Sequence, residues 1–353
     1  MIITPSKSRT IAAVDLFCGV GGLTKGLSQA GIDVKLGVDI DKACEYPYTA
    51  NNKSIFLNKS VETLSAKDIV TYLPDKSIKL IAGCAPCQTF SKYNQKATSD
   101  DKRWWLLQHF TRLVVKILPQ IVTMENVPGL ERQDVFKSFI DDLESANYYI
   151  QYYIIDCADY GVPQHRHRLV LLASRLGAIR LLAPKEIGAN TTTVRDAIGS
   201  LPKIQAGEID KNNPLHQSSS LSELNLQRIR TSKPGGSWRD WEKILISPCH
   251  AKNSGRTYGS VYGRMQWDQP APTITTQFYG FGNGRFGHPE QDRSISLLEG
   301  ALLQSFPEHY KFFPQGHVIY KKITGRLIGN AVPVKLGKAI GISIRKHVEQ
   351  FTS

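Results

Sequence analysis

The 353-residue sequence predicts an α/β fold, a doubly wound and mostly parallel sheet covered by helices, joined to a second, smaller and irregular domain. Three observations carry this expectation. Short apolar runs alternate with helical segments through the first half of the chain. A glycine-rich turn joins the first apolar run to the first helix. Regular patterning breaks off after about Ser174 and returns only after about Glu290.

The elements follow in order. From Ile11 the chain reads IAAVDLFCGVGGLTKGLSQAG, which is strand, turn and then a helix ending at Gly31. A second apolar run, Ile32 to Ile40, closes on Asp39 and Asp41, and Ile78 to Gly83 is a further buried strand. Trp104 to Leu118 has helical periodicity and is stopped by Pro119, after which Gln120 to Met124 is strand-like. Val135 to Ser145 is patterned as an amphipathic helix, followed by strands at Tyr148 to Ile155 and Leu169 to Ala173. Such alternation implies parallel strands with helices on both faces. Three segments are therefore expected: 1–174 for the large domain, 175–290 for the irregular one, and 291–353 as a return to the first, with regular patterning at Ile295 to Gln304 and a helical tail from Pro333 to Phe351.

Composition narrows the function classes. With 41% hydrophobic residues the chain can bury a large core. No run approaches the roughly 20 apolar residues of a membrane span, and MIITPSKSRT lacks the apolar region of a secretory signal, so a soluble, cytoplasmic protein without membrane partners is expected. The six cysteines are too sparse for a disulfide scaffold and read as free thiols. Lys and Arg number 44 against 31 Asp and Glu, a net charge of +13 that favours polyanions such as nucleic acid, although a generic basic surface has the same count. The segment Arg175 to Glu290 holds 15 Lys/Arg and 9 Asp/Glu with tryptophans and tyrosines interleaved. That suits a nucleic-acid surface, but most of those aromatics are expected to form the core of a small domain.

Four motifs carry chemistry. In Asp15-Leu16-Phe17-Cys18-Gly19-Val20-Gly21-Gly22 the glycines let a ligand approach the backbone at a helix N-terminus, and Asp39 at the end of the second strand can accept from both hydroxyls of a ribose, or simply cap a helix. Cys84-Ala85-Pro86-Cys87-Gln88 follows a strand and opens the long polar segment Gln88 to Arg103. It can be read as a redox pair, half a zinc site, a buried thiol, or a nucleophile at a ligand-binding strand end. No second C-x-x-C exists and the other Cys and His lack metal-ligand spacing, so no metal is expected. Glu125-Asn126-Val127-Pro128 ends the fourth strand, where Glu125 shares a crevice with Cys87; thiol and carboxyl together suit nucleophilic attack assisted by protonation. In Gln164-His165-Arg166-His167-Arg168, alternation places Gln164, Arg166 and Arg168 on one side, suited to phosphate or carbonyl oxygen.

Taken together and in order, these blocks resemble the cytosine-5 DNA methyltransferase family over nearly the whole chain. DLFCGVGG resembles its cofactor block, Pro86-Cys87-Gln88 its nucleophile block, Glu125-Asn126-Val127 its ENV block and Gln164-x-Arg166-x-Arg168 its Q-x-R-x-R block. Arg293 to Pro307 and Gly329-Asn330-Ala331-Val332-Pro333 resemble its last two. The resemblance implies a methyltransferase-type sheet, S-adenosylmethionine as cofactor, and a target-recognition domain at 175–290 that includes Pro272 to Thr276. It puts Phe17 on the adenine, Asp39 at the ribose, Asp68 at the adenine amino group and Gly19 and Gly21 by the methionine part, with Ile40 and Asn330 also binding the cofactor. By the same resemblance Cys87 would attack carbon 6 of a flipped cytosine while Glu125 engages N3, Arg168 engages O2 and Arg166 supports the site, because thiolate addition makes carbon 5 nucleophilic. The resemblance also implies a monomer acting on double-stranded DNA, with a cognate restriction endonuclease as partner; an RNA-methylating relative shares most of the blocks. The sequence departs from the pattern at Asp39, where many members have Glu, at Cys84-Ala85, and at the SISLLEG after Arg293.

Overall fold

The computed structural model describes residues 10–86, 105–253, 255 and 257–351, and divides them into two compact units. The first takes the chain up to Tyr160, His167–Asn190 and everything from Val332 on. Its strands are β1 (Ile11–Leu16), β2 (Asp33–Asp39), β3 (Ile55–Asn58), β4 (Ile78–Gly83), β5 (Ile121–Asn126), β6 (Tyr149–Asp156) and β7 (His167–Ser174). They form one sheet in the order β3-β2-β1-β4-β5-β7-β6. The first five run parallel, whereas β7 is inserted antiparallel between β5 and β6. Alternation of apolar runs could not foretell this reversal, since β6 and β7 are joined by the segment at 157–166 with no crossover helix.

The helices of this unit are α1 (Gly22–Gln29), α2 (Glu45–Asn51), α3 (Ala66–Val70), α4 (Trp105–Ile117) and α5 (Asp134–Ser145), and its last one is described below. Leu16, Leu36, Ile81, Val122, Phe110, Phe139 and Leu171 share one buried cluster between sheet and helices. Because β1 is flanked by β2 on one side and β4 on the other, chain connections leave it in opposite directions, and the C-terminal ends of β1, β4 and β5 border the crevice such sheets use for ligands.

The second unit comprises Gly161–Arg166 and Thr191–Ala331, with helices α6 (Val194–Ile198), α7 (Glu223–Thr231), α8 (Pro248–Ala251), α9 (Leu297–Leu303) and α10 (Lys321–Asn330). Its described residues form only isolated β-bridges, such as Gln164 with Ala271 and Arg264 with Gly287. Here buried side chains satisfy the backbone. Arg264 donates to the carbonyls of Ile229, Ser232, His288 and Gln291, and Gln164 accepts from Ile274 N–H while donating to Leu303 O.

This division differs from the expected boundaries at 174 and 290. Residues just past Ser174 stay with the first unit because Ile179, Leu181 and Leu182 are buried there and Leu182 N–H donates to Ser343 Oγ of the last helix, α11 (Val334–Glu349). Residues 291–331 belong to the second unit, whose core they build through the fully buried pair Arg293 and Glu299. The stretch Lys321–Glu349 is long and apolar enough to cross a membrane by composition, against the expectation of no such run, but 78% of that window is buried in the protein and Ala331 to Pro333 interrupt it between α10 and α11. A Cβ at Gly26 of α1 would fall 2.4 Å from Val334 O, so α1 and α11 meet backbone to backbone.

Candidate active site

The glycine-rich turn leaves β1 in a conformation few side chains favour. Phe17, Gly19 and Gly21 all have positive φ, at 59°, 52° and 87°. A Cβ at Gly19 would meet nothing within 4 Å, so open space lies over this turn. Asp39, at the end of the neighbouring strand, holds the turn in place: its Oδ2 accepts from Gly19 N–H at 2.8 Å and its Oδ1 from Asp41 N–H at 2.9 Å. Ile40 beside it is 72% exposed, an apolar side chain left in the open at a strand end, while Phe17 packs partly against the core.

Asp15 reads in the sequence as one position of an apolar strand, and the structure buries a carboxyl there. It is 1% exposed, its Oδ2 accepts from Thr24 Oγ1 at 2.6 Å, and its Oδ1 is buried without a hydrogen bond. Burial raises its carboxyl pKa to about 7, with the nearby Asp39 charge acting in the same direction. Cys18, next to the turn, is also buried and its thiol pKa is pushed up by burial, which marks it as inert.

Asp68 lies elsewhere than at a strand end. It sits in the first turn of α3, where its Oδ2 accepts from Ser65 N–H and Oγ and pairs with Lys59 Nζ at 3.1 Å; the Ser65 N–H first, and then Lys59, lower its pKa to about 2. Lys59 directly follows β3, and its N–H donates to Asp39 O, so Asp68 is linked to the same border of the sheet through one side chain.

At the ends of β4 and β5 a second group assembles. Glu125 is 2% exposed. Arg168 of β7 brings its Nε to 2.8 Å from Glu125 Oε1, an ion pair whose angle leaves that oxygen without a hydrogen bond. Cys84 donates its thiol hydrogen to Oε2 at 2.9 Å. Asn126 Nδ2 donates to Ala85 O at 3.0 Å, so the chain just before Cys87 is tied to β5. Cys87 itself and the expected loop Gln88 to Arg103 lie outside the described residues.

The antiparallel turn of β7 separates the Q-x-R-x-R block. Arg168 belongs to the first unit, whereas Gln164 and Arg166 belong to the second. Arg166 is 4% exposed and donates to the carbonyls of Ile274, Gly329 and Ala331, bracketing Asn330, which is exposed at the end of α10. Among the described residues no group of three or more His, Cys, Asp or Glu could hold a metal ion.

A model of the C-5 cytosine-specific DNA methylase family matches residues 11–346. The chain belongs to this family. It is 49% identical over 341 residues to the type II methylase M.HgiDII of Herpetosiphon aurantiacus, covering 96% of each chain, and 30% identical to the type II methyltransferase M1.HphI of Haemophilus parahaemolyticus, covering 96% of this chain and 87% of that one. Among solved structures, its fold is similar to a putative DNA modification methyltransferase encoded within an E. coli prophage (TM-score 0.75, 24% identity, 96% of this chain and 100% of that one). It is also similar to the S. pombe Dnmt2 methyltransferase (TM-score 0.60, 16% identity, 97% and 99%). This DNA cytosine-5-methyltransferase is of the restriction-modification kind, built on the methyltransferase α/β sheet.

Proposed function

We propose that this methyltransferase acts on a cytosine flipped out of a specific duplex DNA sequence, and that Cys87 forms a covalent adduct at carbon 6 while Glu125 and Arg168 hold the ring. The observation that carries the reading is the Glu125 carboxylate: buried at the end of β5, charge-paired with Arg168, and with one oxygen free of hydrogen bonds. A buried, unsatisfied acceptor is unfavourable unless a ligand completes it.

In this reading the Cys87 thiolate adds to carbon 6, the electron pair of the 5,6 double bond moves through the ring to N3, N3 takes up a proton from solvent, and the Glu125 carboxylate accepts the hydrogen bond of the resulting N3–H. Arg168 donates to O2, and Arg166 fixes the backbone on both sides of Asn330. Carbon 5 is then an enamine carbon. After it is methylated it gives up its proton, and expulsion of the thiolate restores the double bond and frees Cys87. Such an approach above and below the ring is impossible in a stacked duplex.

The turn after β1 fits S-adenosylmethionine, since it offers open space over Gly19 and a carboxylate, Asp39, bonded to the turn at Gly19 N–H. Phe17 would pack on the adenine and Asp39 hold the ribose, Gly19 and Gly21 would let the methionine part approach, Asp68 would meet the adenine amino group, and Ile40 and Asn330 are the further cofactor-binding candidates. When bound, S-adenosylmethionine supplies an electrophilic methyl group. The second unit, within which the segment 175–290 largely falls, would read the DNA, and the protein would act as a cytoplasmic monomer beside an endonuclease of the same specificity.

The test is incubation with S-adenosylmethionine and duplex DNA carrying 5-fluorocytosine, whose fluorine blocks release of the enzyme. The wild type should give a denaturation-resistant complex, Cys87→Ser none, and Glu125→Gln one that forms at least about 100-fold more slowly. An adduct on RNA alone would overturn the reading, as would one that survives Cys87→Ser.

A further inference from the structure

We infer that Cys84 is a positioning residue for Glu125: its thiol fixes the plane of that carboxylate, so that the opposite oxygen faces the cytosine ring. The inference rests on the role proposed for Glu125.

The argument begins with what a glutamate leaves undetermined. Its last torsion is broad, so backbone and rotamer preference alone do not set the carboxylate plane. Two contacts at opposite oxygens do. Arg168 Nε lies at 2.8 Å from Oε1, but the geometry is that of an ion pair, and a guanidinium held only by charge permits rotation about the carboxylate axis. The directional contact is at the other oxygen, where the Cys84 thiol donates at 2.9 Å. Among the described residues, Arg168 and Cys84 are charged or titratable groups that contact Glu125, one from β7 and one from the end of β4.

Cys84 is itself held on both sides. Its N–H donates to Leu16 O at 3.2 Å, extending the β1–β4 ladder one residue past β4. The next carbonyl, Ala85 O, accepts from Asn126 Nδ2. The thiol therefore starts from a fixed backbone and reaches a fixed strand. This also accounts for the cysteine in the C-x-x-C of the sequence: Cys84 hydrogen-bonds to an acid on the neighbouring strand. A thiol is a weak donor, but an ionised acceptor strengthens the bond.

The experiment compares Cys84→Ala, Cys84→Ser and Glu125→Gln in the full-length enzyme, reading kcat, KM for DNA, the pH profile of kcat and thermal unfolding. Cys84→Ala should lower kcat about tenfold with KM for DNA little changed, the size of one charge-assisted hydrogen bond lost in the transition state. The pH profile of kcat should differ between Cys84→Ala and the wild type, because the contact that is lost is one made to a carboxylate. Cys84→Ser keeps an O–H donor and should restore most of the rate and the pH profile. If Glu125→Gln is impaired while Cys84→Ala matches the wild type in rate and pH profile, the inference fails and the Glu125 reading stands. If Glu125→Gln retains full activity, the Glu125 reading fails, and this inference with it. A Cys84→Ala variant that is merely unstable, with an unshifted pH profile that serine does not rescue, would likewise overturn it.

Discussion

The two units satisfy their buried backbone in opposite ways. In the first, seven strands exchange N–H and C=O along a sheet, and the side chains inside are almost all apolar. In the second, strand pairing is limited to isolated bridges among the described residues, and arginines take the place of the ladder: Arg166, Arg228, Arg264 and Arg293 are all less than 10% exposed and all donate to main-chain carbonyls. A guanidinium carries five donors in a rigid fork, so one residue can tie together several loops. A domain so wired is free of a regular scaffold, which suits a segment that presents irregular loops to a ligand. It also makes the second unit dependent on single residues in a way that a sheet is not.

The largest expected effect tests that dependence. Arg293 is 0% exposed and forms two 2.7 Å bonds to Glu299, which is equally buried; burial pushes the Glu299 carboxyl up, yet the guanidinium outweighs it and holds the pKa at about 2. Arg293→Met leaves that carboxylate buried without its partner and should lower stability by about 3–5 kcal/mol in urea denaturation. Adding Glu299→Gln removes the charge while keeping an acceptor for Ser296 N–H, and should recover at least half of the loss. A single variant within about 1 kcal/mol of the wild type, well below what breaking a buried pair does, would show that these arginines are not what holds the unit.

The contrast also explains what the sequence could and could not disclose. Six of the seven strands of the first unit announce themselves as apolar runs, the short half-exposed β3 does not, and Gly19, Asp39 and Glu125 stand out because they sit where such runs end. The second unit was legible only as an interruption. Counting its charges treats every arginine as surface, yet Arg228 and Arg264, both within the basic segment, are buried, and Trp238, Trp241 and Phe281 form its core. Tyr258, at 49% exposed, remains available at the surface. Composition reports charge and is silent on burial. For the same reason Asp15 passed as a strand residue, and Cys84 as one half of a cysteine pair.

Buried ionisable groups sharpen the comparison, because each unit carries one of opposite kind. Asp15 in the first unit has a pKa raised by burial to about 7 from an ordinary 3.8, so the folded state binds the extra proton between those values. Stability contributed this way is present in acid and is lost as pH rises through 7. Measured against Asp15→Asn, the wild type should lose up to roughly 4 kcal/mol of unfolding free energy between pH 4 and pH 8. Equal pH dependence of the two proteins would mean that Asp15 is ionised in the folded state at neutral pH.

His288 in the second unit should behave in the reverse sense. It is 1% exposed on its side chain, and its Nδ1 accepts from the N–H groups of Glu290 and Gln291, which requires an unprotonated nitrogen there. Burial lowers its pKa to about 4 from an ordinary 6.5, although Glu299 nearby pulls the other way. Between those values the unfolded chain binds more protons than the folded one, so stability rises with pH across this window and is lost on acidification to pH 4. Relative to His288→Gln, which keeps an acceptor for the two N–H groups and cannot be protonated, the wild type should lose roughly 3 kcal/mol between pH 7 and pH 4. Hydrogen exchange read separately in the two units would then show acid loosening the backbone around Arg264 and Arg293 while leaving β1 protected. The same sign of response in both units would mean that the polar wiring of the second is no more sensitive to protonation than the apolar sheet of the first.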